Sequence, residues 1–563
     1  MFHPPATTDS EPGLVQKESA VPQLLSFVLL VIFYLVVSVV ALESWVRLFN
    51  LAAPPEAPGY FWRVPDALTG WGLEPGAHGR WFNPLYEFDV EVQINDRGLR
   101  SPPEIGYEKG ESVFRVVTIG DSFVEGVQVA LAETFPQQLG RLLNGLVDEA
   151  NAPPLRLEVI NAGVGGWGTD QQLLWLRHEG VHYQPDLVLL AFFPANDFIN
   201  NYQPLEFANV GAVRKPWFRL EEGDLVLHNF PFDPSEARET ARTLRRQITE
   251  QSGNEALAAD QAPSSRPLAA TGEWLYAHSA LFRYIDPRIR VTWPAMAVRL
   301  ARWGLIEPGA ETKEASFGPD YIPLAYGVYQ QPVAPEWEAA HAVTGALFAE
   351  LRREAETMGA RTAALLLPAQ EETDDRVWQS ILDRYPAMQA YDWSPEQPNR
   401  KAAELLAASG IPVLDLWPLF RQGIEGGATL YFHNDGHWTQ AGHALAGAAL
   451  ADFLVRSELI PPLAGATVPV VVPAASGSWW HWLGWIVLAL LGVSLAWSLY
   501  QTGPLAWLRN QGVSLGTTGE LLWFLVRRRR FVLLPLVVIL LLFGGLLVIA
   551  QASVVGPFIY TLF

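Results

Sequence analysis

An α/β domain built on a parallel sheet, broken by one large insertion and accompanied by three apolar segments, is the architecture this sequence predicts. Three observations carry it. Short β-rich runs alternate with helical patterns, as strands and crossover helices do in a parallel sheet covered on both faces. Glycine, aspartate and asparagine cluster where those runs end. Hydrophobic residues make up 50% of the 563 and charged ones only 17%, against about 25% charged in an ordinary soluble domain, and the apolar excess is gathered at the two ends of the chain.

Residues 1–23 are polar and read as a disordered tail. Residues 24–46 begin with an uncharged run of membrane-spanning length and lack a small-x-small cleavage site, which predicts an uncleaved transmembrane anchor. Residues 479–500 open on Trp479, Trp480, Trp482 and Trp485, an aromatic belt, and predict a second span. Residues 531–550 predict a third, entered from four consecutive arginines, Arg527 to Arg530. The loop 501–530 carries those arginines and Arg509 against the single acid Glu520, so the positive-inside rule makes it cytoplasmic. By parity the domain 50–459 is then extracytoplasmic and residues 551–563 form an external tail. A proline-, alanine- and valine-rich linker covers 460–478.

Within 50–459 the expected strands are 114–119, 155–160, 187–193, 362–367 and 413–416. Helices are expected near 136–147, 169–179, 337–358, 400–409 and 439–455. Residues 50–101, rich in Trp, Gly and Pro, are expected to be a mostly irregular leading segment. The interval 202–335 breaks the rhythm and is too long for a structureless loop, which predicts an inserted subdomain or lid. No 20–50-residue repeat is visible.

Composition removes several functions. A net charge of −20 argues against nucleic-acid binding, because phosphate backbones are gripped by clustered Lys and Arg. The chain has no cysteine, which excludes disulfides, thiolate metal sites and a cysteine nucleophile. No metal cluster and no cofactor site is apparent. Gly163-Val164-Gly165-Gly166-Trp167-Gly168 satisfies the dinucleotide pattern G-x-G-x-x-G. The acid that should follow is misplaced: Asp186 precedes its strand and Asp197 is too far along.

Ligands of open α/β sheets bind beyond the carboxyl ends of the strands. There the sequence places Gly120-Asp121-Ser122-Phe123, the glycines 163–168 and Asn196-Asp197. His433-Asn434-Asp435-Gly436-His437-Trp438 stands before the last helix. These are sufficient for acyl transfer. Ser122 needs a base to take its proton, His437 can be that base, and Asp435 can fix the imidazole. The Ser122 amide, the Gly166 amide and the Asn196 side chain can donate to a developing oxyanion. A Gly-Asp-Ser triplet alone is more often a turn. His433 is a candidate substrate contact, whereas His443, His178, His182 and His341 read as structural or packing residues. Glu125 reads as a first-turn helix acid favoured by the dipole. The aromatics Trp217, Trp274, Tyr276, Phe282 and Tyr284 of the insertion suit sugar stacking and core packing equally.

Taken in order, these blocks resemble the SGNH, or GDSL-like, hydrolases over roughly 95–205 and 340–455. Gly120-Asp121-Ser122-Phe123 matches the first block, whose serine is the nucleophile. Asn161 to Gly166 is similar to the second, with Gly166 on its oxyanion glycine, and Asn196-Asp197 to the third, with Asn196 on its oxyanion asparagine. The last block, usually Asp-x-x-His, is one residue shorter here, with Asn434 where the usual spacing puts the acid. Its Asp-x-His-Trp form resembles the branch that includes polysaccharide O-acetylation proteins. The resemblance implies a flavodoxin-like three-layer SGNH hydrolase domain. It further implies a serine esterase or O-acyltransferase acting on acyl esters of an envelope or exported polysaccharide at a bacterial cell membrane. Its rival is a non-catalytic assembly or glycan-binding subunit on the same scaffold. Residues from about 519 to 563 resemble a short bacterial membrane-protein family of unknown function, which implies membrane lipid and a membrane partner protein at the C-terminal helices.

Overall fold

The computed structural model describes residues 36, 38–55, 60–149, 155–233, 266–460, 463 and 465–473. The leading segment is mostly irregular, as expected, but it also carries short strands. It folds into two antiparallel hairpins, β1 (Arg63–Asp66) with β2 (Gly70–Leu73) and β3 (His78–Phe82) with β4 (Asp89–Gln93). These strands are only four or five residues long, too short for a clear period-2 pattern among so many glycines and prolines.

Next come β5 (Val113–Gly120), β6 (Arg156–Gly163), β7 (Leu187–Phe192) and the hairpin β8 (Trp217–Glu221) with β9 (Asp224–His228). They are followed by β10 (Gln330–Gln331), β11 (Arg361–Leu366), β12 (Asp392–Trp393) and β13 (Val413–Asp415). The five strands expected from the sequence form one parallel sheet in the order β6-β5-β7-β11-β13. That is the flavodoxin-like doubly wound order.

Alternation along the strands divides two cores. Val188, Leu190 and Phe192 of β7 pack with the helices Thr169–His178, Pro335–Thr357 and Gln397–Ala408. Leu187, Leu189 and Ala191 face the other way, towards Phe135–Glu149 and Gln440–Arg456. Both faces of the sheet are thus covered, which is why its strands read as continuous apolar runs.

Between β7 and Pro335–Thr357, the described part of the interval 202–335 holds the helix Gln203–Val210 and the hairpin β8–β9. The helices Ala269–His278, Ala280–Thr292, Pro294–Trp303 and Ala310–Ser316 follow. The chain divides into two compact units. The larger, Ala53–His278 with Arg283–Gly477, contains the sheet. The smaller, Met1–Ala52, Ser279–Phe282 and Ser478–Phe563, is described only at 36, 38–52 and 279–282.

The expected multi-pass membrane protein with an extracytoplasmic domain is corrected here. Among the described residues, no helix is long and apolar enough to cross a membrane. The expected spans 479–500 and 531–550, and residues 24–35 and 37 of the first, lie outside the described residues, as do the tail 1–23, the loop 501–530 and residues 551–563. The described remainder of the first span carries an ionised group. Glu43 accepts hydrogen bonds from the Ala280 and Leu281 amides and from Ser279 Oγ, each at 2.8 Å, and pairs with Arg47 at 2.6 Å. Burial works against its charge, but these partners outweigh it and hold the carboxyl at about 2.

Candidate active site

β5 ends at Gly120, and the chain turns at once into a one-turn helix, Ser122–Glu125, so Ser122 stands at the C-terminal edge of the sheet. Asp121 caps that helix, its Oδ1 accepting the Phe123 N–H at 2.9 Å. The end of β6 lies against the same turn: a Cβ at Gly163 would stand 2.4 Å from Glu125 N. Glycine is therefore required there for the two strand ends to meet.

His437 joins two other residues. Its Nε2 lies 2.8 Å from Ser122 Oγ and its Nδ1 2.7 Å from Asp435 Oδ1. Ser122 and His437 are 315 positions apart in sequence. The shortened Asp-x-His spacing is accommodated by Gly436, at φ +81°, in a loop closed by Phe432 N–H to His437 O (2.8 Å) and Gly436 N–H to Phe432 O (2.9 Å). Asn434 is turned away. Its backbone N–H and its Nδ2 both donate to Glu87 Oε1, at 2.9 and 3.1 Å. Side-chain exposures of 24% for His437 and 18% for Asp435 leave the relay open to solvent.

Burial pulls the His437 pKa down, but the hydrogen bond and charge of Asp435, with Asp121 and Glu125 behind, outweigh it and hold the imidazole above its ordinary 6.5. His443, on the last helix, feels the same charges: burial, then Arg100 and His437, lower it to about 3. A base works only when unprotonated, so ester turnover is expected to rise through a midpoint above 6.5 and level off on the alkaline side. A pH–rate profile of kcat/KM for an activated ester checks this, and a midpoint well below 6.5 would contradict it.

Asn196 follows β7, on the helix Pro194–Asn200, and its Nδ2 donates to Asp121 Oδ2 at 3.3 Å. One amide proton remains for another acceptor. Asp121 is fully buried, which raises it to about 6 against the pull of the Phe123 amide, His437 and Asn196. Asp197 is pushed well above the usual carboxylate range by burial and then by Asp121. Gly166 sits at φ +80° in the loop after β6. Among the described residues, the N–H groups of Ser122 and Gly166 have no protein acceptor. Ser122 follows β5, the loop with Gly166 follows β6 and Asn196 follows β7, so the three stand beyond the carboxyl ends of neighbouring strands. A serine hydroxyl on an imidazole–carboxylate relay, with uncommitted donors beside it, can accept and release an acyl group.

The other histidines fall elsewhere. His443 is buried and its Nδ1 accepts the Phe135 N–H at 3.2 Å. His341 is buried against Phe198, and burial, then Lys401, lowers it to about 4. His178 stacks on Phe230, and His182 leans on Tyr107. Burial also lowers His433. Of the insertion aromatics, Trp217 stacks on His228, Trp274 on His278, and Tyr284 lies under Arg288. The glycine pattern at 163–168 is closed to a diphosphate: the Gly165 N–H is already bonded to the Glu125 carboxylate at 2.6 Å.

Sequence reasoning missed three residues of this edge. Glu125 is a first-turn helix acid, as expected, but its side chain is 1% exposed and bonded across to the β6 loop. Asp121 supports the Asn196 amide, and Glu87 holds the loop that carries Asp435. The Asp121 position beside the serine was the one signal available; Glu87 lay in a segment with no readable pattern.

Fold and site together define a three-layer α/β domain of the hydrolase or acyltransferase kind. Residues 330–477 match a family model described as the SGNH hydrolase-like domain of the acetyltransferase AlgX. The matched stretch contains Asp435 and His437, while Ser122, Gly166 and Asn196 precede it. Residues 515–563 match a family of unknown function, DUF5989. A search of curated proteins returned no match.

Proposed function

We propose that the chain is an SGNH-type serine enzyme, an ester hydrolase or O-acyltransferase, that acts on ester-linked acyl groups of a polysaccharide. The observation that carries this is the continuous relay from Ser122 Oγ through His437 to Asp435, at 2.8 and 2.7 Å. Ser122 Oγ attacks the acyl carbonyl carbon while His437 Nε2 takes its proton. Asp435 stabilises the imidazolium that forms. The carbonyl oxygen, now an oxyanion, is met by the N–H groups of Ser122 and Gly166 and by Asn196 Nδ2. As the C–O bond to the leaving group breaks, His437 returns the proton to the departing oxygen and the acyl group remains on Ser122. Water or an acceptor hydroxyl then repeats the sequence in reverse, and exclusion of water favours transfer over hydrolysis. The acetyltransferase match over 330–477 supports an acyl group as cargo. The open relay is consistent with a large acceptor such as a polysaccharide chain.

The test is to treat the purified full chain with a serine-directed phosphonate and with p-nitrophenyl acetate, the latter with and without an oligosaccharide acceptor. The expected result is a single adduct on Ser122, ester turnover, and acetate appearing on the sugar. A chain that binds glycan yet neither labels nor turns over would instead be a non-catalytic glycan-binding subunit. Asn196→Ala is expected to lower kcat by about a hundred- to a thousandfold with KM little changed, the usual cost of one oxyanion donor. Steady-state kinetics on the same ester read this directly, and an unaltered kcat would remove Asn196 from the oxyanion site.

A further inference from the structure

The one-turn helix that presents Ser122 ends on Glu125, whose carboxylate reaches across to the loop after β6 and has both oxygens occupied. Oε2 accepts the Gly165 N–H at 2.6 Å, and Oε1 accepts the indole N–H of Trp62 at 2.6 Å. Trp62 is fully buried and the Glu125 side chain is 1% exposed. The Arg63 guanidinium lies 4.0 Å from Oε2. Both hydrogen-bonding partners are donors only. An ionised carboxylate satisfies two donors, whereas an amide would set its own NH2 against one of them.

The next peptide along is held from its other side. The indole N–H of Trp71 donates to Gly165 O at 3.1 Å. That carbonyl and the Gly166 N–H belong to one peptide plane, and in a trans peptide they point in opposite directions. Fixing Gly165 O on Trp71 therefore aims the Gly166 N–H away from that indole. Glu125 fixes the preceding N–H, so Gly165 is gripped at both of its polar groups, immediately before a residue at φ +80°. A glycine-rich loop gains no rigidity from its own side chains and is otherwise free to turn that peptide.

We propose that Glu125 is a positioning residue of the reaction: with Trp71 it holds the Gly165–Gly166 peptide so that the Gly166 N–H meets the oxyanion. This rests on the serine-ester reading above and adds to it a residue of the serine's own helix and one of the N-terminal hairpin region. Because the donor is misdirected and not removed, the expected loss is smaller than the hundred- to thousandfold cost of a deleted oxyanion donor.

The experiment compares E125Q and W71F with the wild-type full chain on p-nitrophenyl acetate, together with the rate of phosphonate labelling at Ser122 and a thermal melt. In both variants kcat is expected to fall about tenfold with KM held, since the lost interaction acts in the transition state. A folded E125Q whose kcat and labelling rate stay within about twofold of wild type overturns the proposal. Should E125Q fail to fold, W71F decides, because Trp71 is only half-buried and phenylalanine keeps an aromatic ring there while removing the N–H: a lowered kcat at constant KM supports the proposal, and an unchanged kcat overturns it. A wild-type chain that neither turns over ester nor labels removes the serine-ester reading and this one with it. Active wild type with unimpaired variants removes this one alone.

Discussion

Ser122→Ala is expected to lower ester turnover by about 10⁴-fold or more while leaving the fold intact, because the members of such a relay act as a unit and the nucleophile has no substitute. The hydroxyl meets only the His437 imidazole among the described residues, at 2.8 Å. Its removal leaves no buried group unpaired, since His437 keeps Asp435 at 2.7 Å and remains partly open to solvent. Turnover of p-nitrophenyl acetate, phosphonate labelling and a melting curve on the same preparations read this result. Turnover that survives in Ser122→Ala would place the chemistry elsewhere, and a collapsed melting curve would make the serine structural.

The second large effect is on stability. Lys215→Met is expected to cost about 3–5 kcal/mol, the usual cost of breaking a buried ion pair from one side. Lys215 Nζ donates to both Asp170 oxygens, at 2.7 and 2.5 Å, and to Asn200 O at 2.7 Å. The two charged side chains are 1% and 0% exposed. Burial already raises the Asp170 pKa against the pull of Lys215. Without the ammonium, the carboxylate is left charged in a low-dielectric site, and its folded pKa rises further above the unfolded value. Protonation then favours the folded state, so the deficit should shrink as the medium is acidified. Urea denaturation of Lys215→Met, Asp170→Asn and the double variant reads this. The double variant should lose much less than the sum of the two, and strict additivity would show that the pair is not coupled.

Much of the scaffold was legible because its signals are local. The runs at 114–119 and 187–193 became β5 and β7 within a residue at most positions, and a parallel sheet covered on both faces followed from strand–helix alternation. The strands of the leading segment were not legible. They are four or five residues long, and what the segment meets, Trp62 bonding Glu125 and Trp71 the loop after β6, depends on contacts 63 and 94 positions apart. Asn434 and Asp435 show the same limit at a single site. The usual spacing put Asn434 in the acid's place, whereas residue type pointed to Asp435 as the partner of His437. The choice was made by Gly436 turning through positive φ and by Glu87 drawing Asn434 aside, the latter 347 positions away.

Glu125 and Lys215 were misread or passed over for one physical reason. A charged residue looks like surface in a sequence, because ions are costly to bury unless paired. Both are buried, and both are paired with groups from other parts of the chain, the β6 loop and Trp62 for Glu125 and two helices for Lys215. Residue type and order thus settled by themselves where the strands lie, which polar residues stand at their carboxyl ends, and that no cysteine is available as a nucleophile. Only the tertiary structure decided which of those residues meet. Hydrogen bonds and ion pairs act over a few ångströms of space, and only the packed sheet brings Ser122 and His437 that close.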